Sequence, residues 1–105
     1  MTNEPDLHFR TAGEQMAGLD VVARAAASRG TNVAVMQVDH EILGIVAVGV
    51  PPAEALQVVY VVTGYDIWSH GGRQMDSSNV SAEVAAEALV RQYLEYKRRR
   101  IQNTR

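Results

Sequence analysis

Three histidines and a small set of carboxylates are the residues of this 105-residue chain that could carry acid–base or metal chemistry. Asp39, His40 and Glu41 are adjacent, and His70 precedes the pair Gly71–Gly72. A histidine beside carboxylates can supply a general base or part of a metal site, and glycine amides can hold an anion. Neither segment has the spacing of a catalytic or phosphate-binding motif, so we predict no catalytic, cofactor or metal residue. A small enzyme with a site around these four ionisable residues is kept as an alternative.

The basic residues near the C-terminus are the second chemical feature. Residues 1–90 carry four Arg against eleven Asp and Glu, a net charge of −7, whereas residues 91–105 carry six Lys and Arg against one Glu, a net charge of +5. A cluster of cations on a helix end is able to contact phosphates, which makes nucleic-acid binding an alternative function. The same cations also complement the helix macrodipole and solvate the helix end. The candidate phosphate contacts are Arg91 and, in the basic C-terminal tail over residues 97–105, Lys97, Arg98, Arg99, Arg100 and Arg105.

Composition and length limit the remaining possibilities. The chain is 47% hydrophobic and has no cysteine, which predicts one folded domain over residues 1–105 and excludes disulfides and thiolate chemistry. A core of this size has little spare stability, which favours a homo-oligomer. Residues 1–10 are polar and predicted flexible, and the longest apolar run, residues 42–50, is too short to span a membrane. We therefore expect a cytoplasmic protein with no membrane partner, and the excess of Arg over Lys suggests a bacterial source.

The elements that must position these residues begin with a helix. Thr11 and Glu14 form the sequence pattern of a capping box, and apolar residues then recur every three to four positions, predicting a helix over residues 12–29. Residues 32–50 are rich in Val and Ile and are interrupted only at residues 39–41, which predicts a β-hairpin. Both faces of its strands are apolar, as in a sheet that is covered on both sides or in a buried helix.

The second half of the chain is predicted from weaker signals. Residues 53–63 follow two prolines and begin with good helix formers, so we predict a helix there, although residues 58–63 also favour a strand. Gly71–Gly72 predicts the turn of a second short hairpin, and residues 76–79 form a polar linker. The clearest helix begins at Ser81.

Together the elements predict an α+β domain in which the N- and C-terminal helices cover a small antiparallel sheet that includes the hairpin over residues 32–50. An all-α helical bundle is the alternative. No motif supports an enzyme, so we expect a small interaction or regulatory module that forms a homodimer and binds a protein partner through apolar and aromatic surface. The predicted interface residues are Trp68, Tyr93 and Tyr96.

Overall fold

Two helices pack on one face of a five-stranded antiparallel sheet in the computed structural model, which describes residues 11–103. The predicted α+β class, with terminal helices on an antiparallel sheet, is thus confirmed, and the alternative of a helical bundle is wrong. In chain order the elements are α1 (Ala12–Ala27), β1 (Val33–Asp39), β2 (Ile42–Ala47), β3 (Gln57–Tyr60), β4 (Tyr65–Ser69), a 3-10 turn (His70–Gly72), β5 (Gln74–Val80) and α2 (Ala82–Asn103).

Local side-chain chemistry fixes the starts of both helices. The Thr11 hydroxyl accepts a hydrogen bond from the Glu14 amide at 3.2 Å, and the Glu14 carboxylate accepts one from the Thr11 amide at 3.0 Å. These two bonds are the predicted capping box, and they satisfy amides that have no partner within the helix. At the start of α2, the Ser81 hydroxyl accepts a hydrogen bond from the Val84 amide at 3.1 Å.

The sheet is a meander in which each strand pairs with the next one in the chain, in the order β1-β2-β3-β4-β5. The predicted hairpin over residues 32–50 supplies β1 and β2, whose register pairs Val35 with Ile45, and its turn lies at residues 40–41 as expected. β1 and β5 are the two edges of the sheet.

Two predictions for the second half of the chain are wrong. Residues 53–63 do not form a helix, because the β-branched residues from Val58 onward pair with β4 as strand β3, and only a short turn follows the two prolines. Residues 76–79 are not a linker but part of β5, an edge strand whose polar side chains are mostly exposed.

The core lies between the helices and the sheet. Leu19 and Val22 of α1 and Leu89 of α2 are almost completely buried against Ile45 and Ile67 of the sheet. Helix α1 also approaches β3 closely at one position, where the absence of a side chain on Gly18 leaves room for the Tyr60 ring. Tyr65 packs beside that ring, with centroids 4.9 Å apart, and its hydroxyl donates a hydrogen bond to the Gly18 carbonyl at 2.8 Å.

Each helix also holds one loop of the sheet through a glutamine amide. The buried Gln15 of α1 accepts a hydrogen bond from the Leu43 amide at 2.7 Å and donates one to the Glu41 carbonyl at 3.1 Å. Gln92 of α2 bonds in the same way to the β2–β3 connection, accepting from the Leu56 amide at 2.9 Å and donating to the Glu54 carbonyl at 2.8 Å. The helices are therefore tied to the sheet by paired polar contacts as well as by the core.

Helix α2 extends over 22 residues, so residues 97–103 of the predicted basic tail are helical. The predicted flexible segment, residues 1–10, and Arg105 lie outside the described residues. Within residues 11–103, neither helix has the combination of length and apolar character that is needed to cross a membrane.

Candidate interaction surface

The helices leave the opposite side of the sheet uncovered, and we call this side the open face. Side chains alternate along each strand, so Val58 and Ile67 point to the helices whereas their neighbours Val59 and Trp68 point away from them. The open face is largely apolar, although parts of it are shielded by neighbouring side chains. Its members are Ala34, Met36, Val38, Ile42, Gly44, Val46, Gln57, Val59, Asp66, Trp68 and Met75.

A cavity of about 250 Å³ lies on the open face. The cavity lining is mainly apolar but includes two carboxylates, Asp39 and Asp66. Asp66 is held in place because its Oδ1 accepts a hydrogen bond from the Asn79 backbone amide at 2.9 Å. The cavity therefore offers apolar contact together with negative charge. Its lining residues are Val38, Asp39, Ile42, Val59, Val61, Asp66, Trp68 and Gly72.

The floor of the open face depends on Gly44 of β2. A Cβ atom at this position would lie 2.6 Å from Cγ2 of Val38 and 3.5 Å from Cγ2 of Val59. Because Gly44 has no side chain, these two valines close over the β2 backbone and form a continuous apolar surface between β1 and β3.

Gln57 adds an unusual polar atom at the bottom of the open face. The residue is 5% exposed, and its amide nitrogen donates to the Met36 sulfur at 3.8 Å. Its Oε1 atom is buried and has no hydrogen-bond partner among the described residues. A buried acceptor without a partner costs about 1–3 kcal/mol of stability.

The three aromatic residues predicted to form an interface lie in two different places. Trp68 is half-buried on the open face and lines its cavity. Tyr93 and Tyr96 lie on α2 and pack against a small cluster formed by Ala47, Val50 and Ala55, outside the main core. The structure thus separates Trp68 from the two tyrosines, whose apolar area is already used partly within the chain.

The ionisable residues considered for catalysis lie in or next to turns at opposite ends of the sheet. The β1–β2 turn holds His40 and Glu41, whose side chains are 90% and 86% exposed, and the His40 amide donates to Asp39 Oδ1 at 2.7 Å. His70 begins the turn after β4, which in an antiparallel meander is the other end of the sheet. Within residues 11–103, no three His, Asp or Glu side chains are grouped in a way that could hold a metal ion.

Several of the basic residues on α2 have partners within the chain. Arg91 forms an ion pair with Glu87 at 2.6 Å, and Arg99 contacts Glu54 of the β2–β3 connection at 3.4 Å. Lys97 lies over the ring of Tyr93, while Arg99 and Arg100 lie within 6 Å of the Tyr96 ring centre. These contacts account for much of the cationic surface, although the side chains stay largely exposed.

Comparison of this chain with protein-family models, with curated proteins and with solved structures gives no match in any of the three. Its function is therefore inferred from its surfaces alone. The open face is a feature that the sequence indicated only indirectly, through strands that are apolar on both faces. That pattern is typical of a sheet covered on both sides or of a buried helix, whereas the helices cover one side of the sheet only.

Proposed function

We propose that this protein is a small non-enzymatic interaction module that forms a homodimer and binds a protein partner through the open face. The observation that carries the proposal is the largely apolar side of the sheet around Trp68, which holds a cavity and is covered by neither helix. Extended apolar patches on a small protein mark interaction sites, because their exposure to water is unfavourable. A cytoplasmic location and a bacterial source stay predictions.

The charge of the sheet indicates the chemistry of the partner. The five strands contain Asp39, Asp66 and Asp76 but no Lys or Arg. A partner segment with both apolar and cationic side chains would match this surface, since a cation near Asp66 gains an ion pair and one above Trp68 gains a cation–π contact. We therefore propose a basic amphipathic segment as the occupant of the open face.

A fluorescence titration tests this proposal, because Trp68 is the single tryptophan of the chain. The full chain is titrated with an amphipathic peptide of Leu and Lys and with a matched peptide of Leu and Glu. We expect the Lys peptide to shift the Trp68 emission and to bind at least about tenfold more tightly, a difference of about 1.4 kcal/mol. Equal binding of the two peptides would exclude recognition by the acidic open face.

Two charge-removing variants locate the binding site in that titration. Asp66→Asn should weaken binding of the Lys peptide about threefold or more while keeping the acceptor for the Asn79 amide. Asp20→Asn on α1 is the control, because Asp20 pairs with Arg24 on the helix surface, away from the open face. If both variants weaken binding equally, the peptide is attracted by net charge and not by the open face.

Nucleic-acid binding is the second candidate, favoured by the exposed cations at the end of α2, Lys97, Arg98 and Arg100. It predicts a complex with duplex DNA whose affinity falls steeply between low and physiological salt. Replacing Arg98 and Arg100 by Gln should abolish this complex and leave peptide binding to the open face unchanged. An affinity for DNA that does not change in this variant would reject the α2 end as the binding site.

A further inference from the structure

The edge strand β1 has the properties of a strand that pairs with another chain. It is seven residues long, its only charge is Asp39 at its end, and it contains neither Lys nor Pro. Edge strands of monomeric proteins are normally protected by charges, prolines or bulges, because their free backbone groups pair readily with other strands. The register shift of β1 lies at its very end, between Gln37 and Asp39, so residues 33–37 are regular.

The hydrogen bonds of the first hairpin show which backbone groups of β1 are free. The Val48 amide donates to the Asn32 carbonyl at 2.9 Å, and residues paired across antiparallel strands alternate between bonded and non-bonded pairs. Since Asn32 is in a bonded pair, Ala34 and Met36 are bonded to β2 as well. The amides and carbonyls of Val33, Val35 and Gln37 therefore point outward from the sheet, and the described residues provide no partner for them.

The other edge of the sheet is different. Strand β5 carries Asp76, has register shifts against β4, and contains Asn79 with a positive φ of 55° and an amide bonded to Asp66. Polar residues and irregular backbone of this kind prevent pairing with a further strand. Of the two edges that the described strands form, β1 alone is long, regular and apolar.

We propose that two copies of this chain pair through β1 in an antiparallel manner, with Val35 facing Val35 of the second copy, and so form one ten-stranded sheet. This inference rests on the homodimer in the proposed function and identifies the surface that forms it. In this register Val33 faces Gln37 of the second copy, and Gln37 faces its Val33. All three outward-facing residues then exchange two hydrogen bonds with their opposite residue, as in a regular antiparallel ladder.

Side chains and charges agree with this register. Val35 is 48% exposed at the edge although it points to the helix side of the sheet, and the pairing would cover it with the same residue of the second copy. On the other side, Ala34 would face Met36, which joins the two open faces into one surface. The Asp39 carboxylates lie beyond the paired residues, so no like charges face each other.

Single-cysteine variants test the register directly, because the chain has no cysteine of its own. In the proposed dimer the Cα atoms of the two Val35 residues are about 5.5 Å apart, within the range of about 4.4–6.8 Å that a disulfide spans. The two Val33 residues are about 13 Å apart along the strands, too far for a disulfide. Under mild oxidation, Val35→Cys should give a covalent dimer at least about tenfold faster than Val33→Cys.

Val84→Cys is the matched control, since Val84 on α2 has the same exposed fraction of 48% as Val35. If Val35→Cys is oxidised to dimer no faster than Val84→Cys, the proposed pairing is wrong. Equal rates for Val35→Cys and Val33→Cys would also overturn the register.

Sedimentation of the unmodified chain separates this inference from the proposed function. We expect a dimer whose dissociation constant rises at least tenfold in Val35→Lys and is unchanged in Val84→Lys. A dimer that is insensitive to Val35→Lys forms through another surface, which rejects the pairing and keeps the homodimer. A chain that is monomeric at all concentrations rejects both the β1 pairing and the homodimer. Binding of a partner at the open face is tested independently by the peptide titration.

Discussion

Replacing Gly18 by Ala should destabilise the protein although alanine is the better helix former. In a helix interior this substitution normally contributes about 1 kcal/mol of stability. At Gly18 the added methyl group would overlap Cγ, Cδ2 and Cε2 of the Tyr60 ring, which packs beside the Tyr65 ring. Overpacking of this kind costs about 1–3 kcal/mol, and the extent of the overlap places it at the upper end. The net loss should be about 2 kcal/mol.

Gly13 of the same helix provides the matched control. No atom lies within 4 Å of a Cβ built on Gly13, so Gly13→Ala adds helix preference without a clash. This variant should be as stable as the original protein or up to about 1 kcal/mol more stable. The two substitutions are chemically identical, and of the two Gly18→Ala alone should destabilise the protein.

Urea unfolding measures both variants, followed by the far-ultraviolet circular dichroism of the helices and the fluorescence of Trp68. For a domain of this size, 2 kcal/mol corresponds to a fall of roughly 10 °C in melting temperature. A double-mutant cycle with Tyr60→Ala isolates the clash: the loss caused by Gly18→Ala should shrink by at least about 1 kcal/mol when the ring is absent. If Gly18→Ala is as stable as Gly13→Ala, the close approach of α1 to β3 is not present in solution.

Three further substitutions test other contacts. Thr11→Ala removes the capping box of α1 and should lower the free energy of urea unfolding by about 1 kcal/mol, whereas Thr11→Ser should lower it by less than half of that. Equal losses of stability in the two variants would show that the hydroxyl does not cap the helix. Tyr65→Phe removes the buried hydrogen bond to the Gly18 carbonyl and should lower the free energy of unfolding by about 1–2 kcal/mol, with an unchanged circular dichroism spectrum. An unchanged free energy of unfolding would show that this hydrogen bond does not form. Glu54→Gln should change the free energy of unfolding by less than about 0.5 kcal/mol at any salt concentration, because the ion pair of Glu54 with Arg99 is exposed. A loss of stability above about 1 kcal/mol that disappears at high salt would refute this expectation.

Local chemistry made about half of the fold predictable from the sequence. The capping box at Thr11 and the apolar periodicity after it act within a few residues, so they specify α1 without knowledge of the rest of the chain. The same is true of β1 and β2, where β-branched residues are interrupted by one polar turn at residues 39–41. In these segments the local preference and the tertiary contacts favour the same structure.

The predictions are wrong in the segments whose secondary structure is determined by pairing with a strand distant in sequence. The helix-forming residues after Pro52 are outweighed by the strand preference of Val58 and Val59 and by their pairing with β4, and the local sequence does not identify that partner strand. β5 lacks the apolar alternation of a strand because its residues 76–79 are mostly exposed at the edge of the sheet and its register is irregular. Strand preference depends on neighbouring strands more than helix preference depends on neighbouring helices.

One residue of the candidate site could be predicted from the sequence, but the arrangement of residues around it could not. Trp68 was chosen because aromatic side chains anchor interfaces, and the structure places it on the open face. The cavity around it also requires Val38 and Val59, which come from two other strands and are indistinguishable in sequence from core valines. A strand that is apolar on both faces has the same sequence whether its second face meets a helix, a second subunit or water.

The contact between the first and last helices has a consequence for synthesis of the protein on the ribosome. Leu19 and Val22 of α1 reach their buried state in a cluster with Ala85, Ala86 and Leu89 of α2. The nascent chain makes α2 after all five strands, so the meander emerges with its helix-facing side half covered and its open face fully exposed. Until α2 has left the exit tunnel, the part of the helix-facing side that α2 covers stays accessible to chaperones and to neighbouring nascent chains, as does the regular edge of β1. The order of synthesis thus makes docking of α2 the step that completes the core.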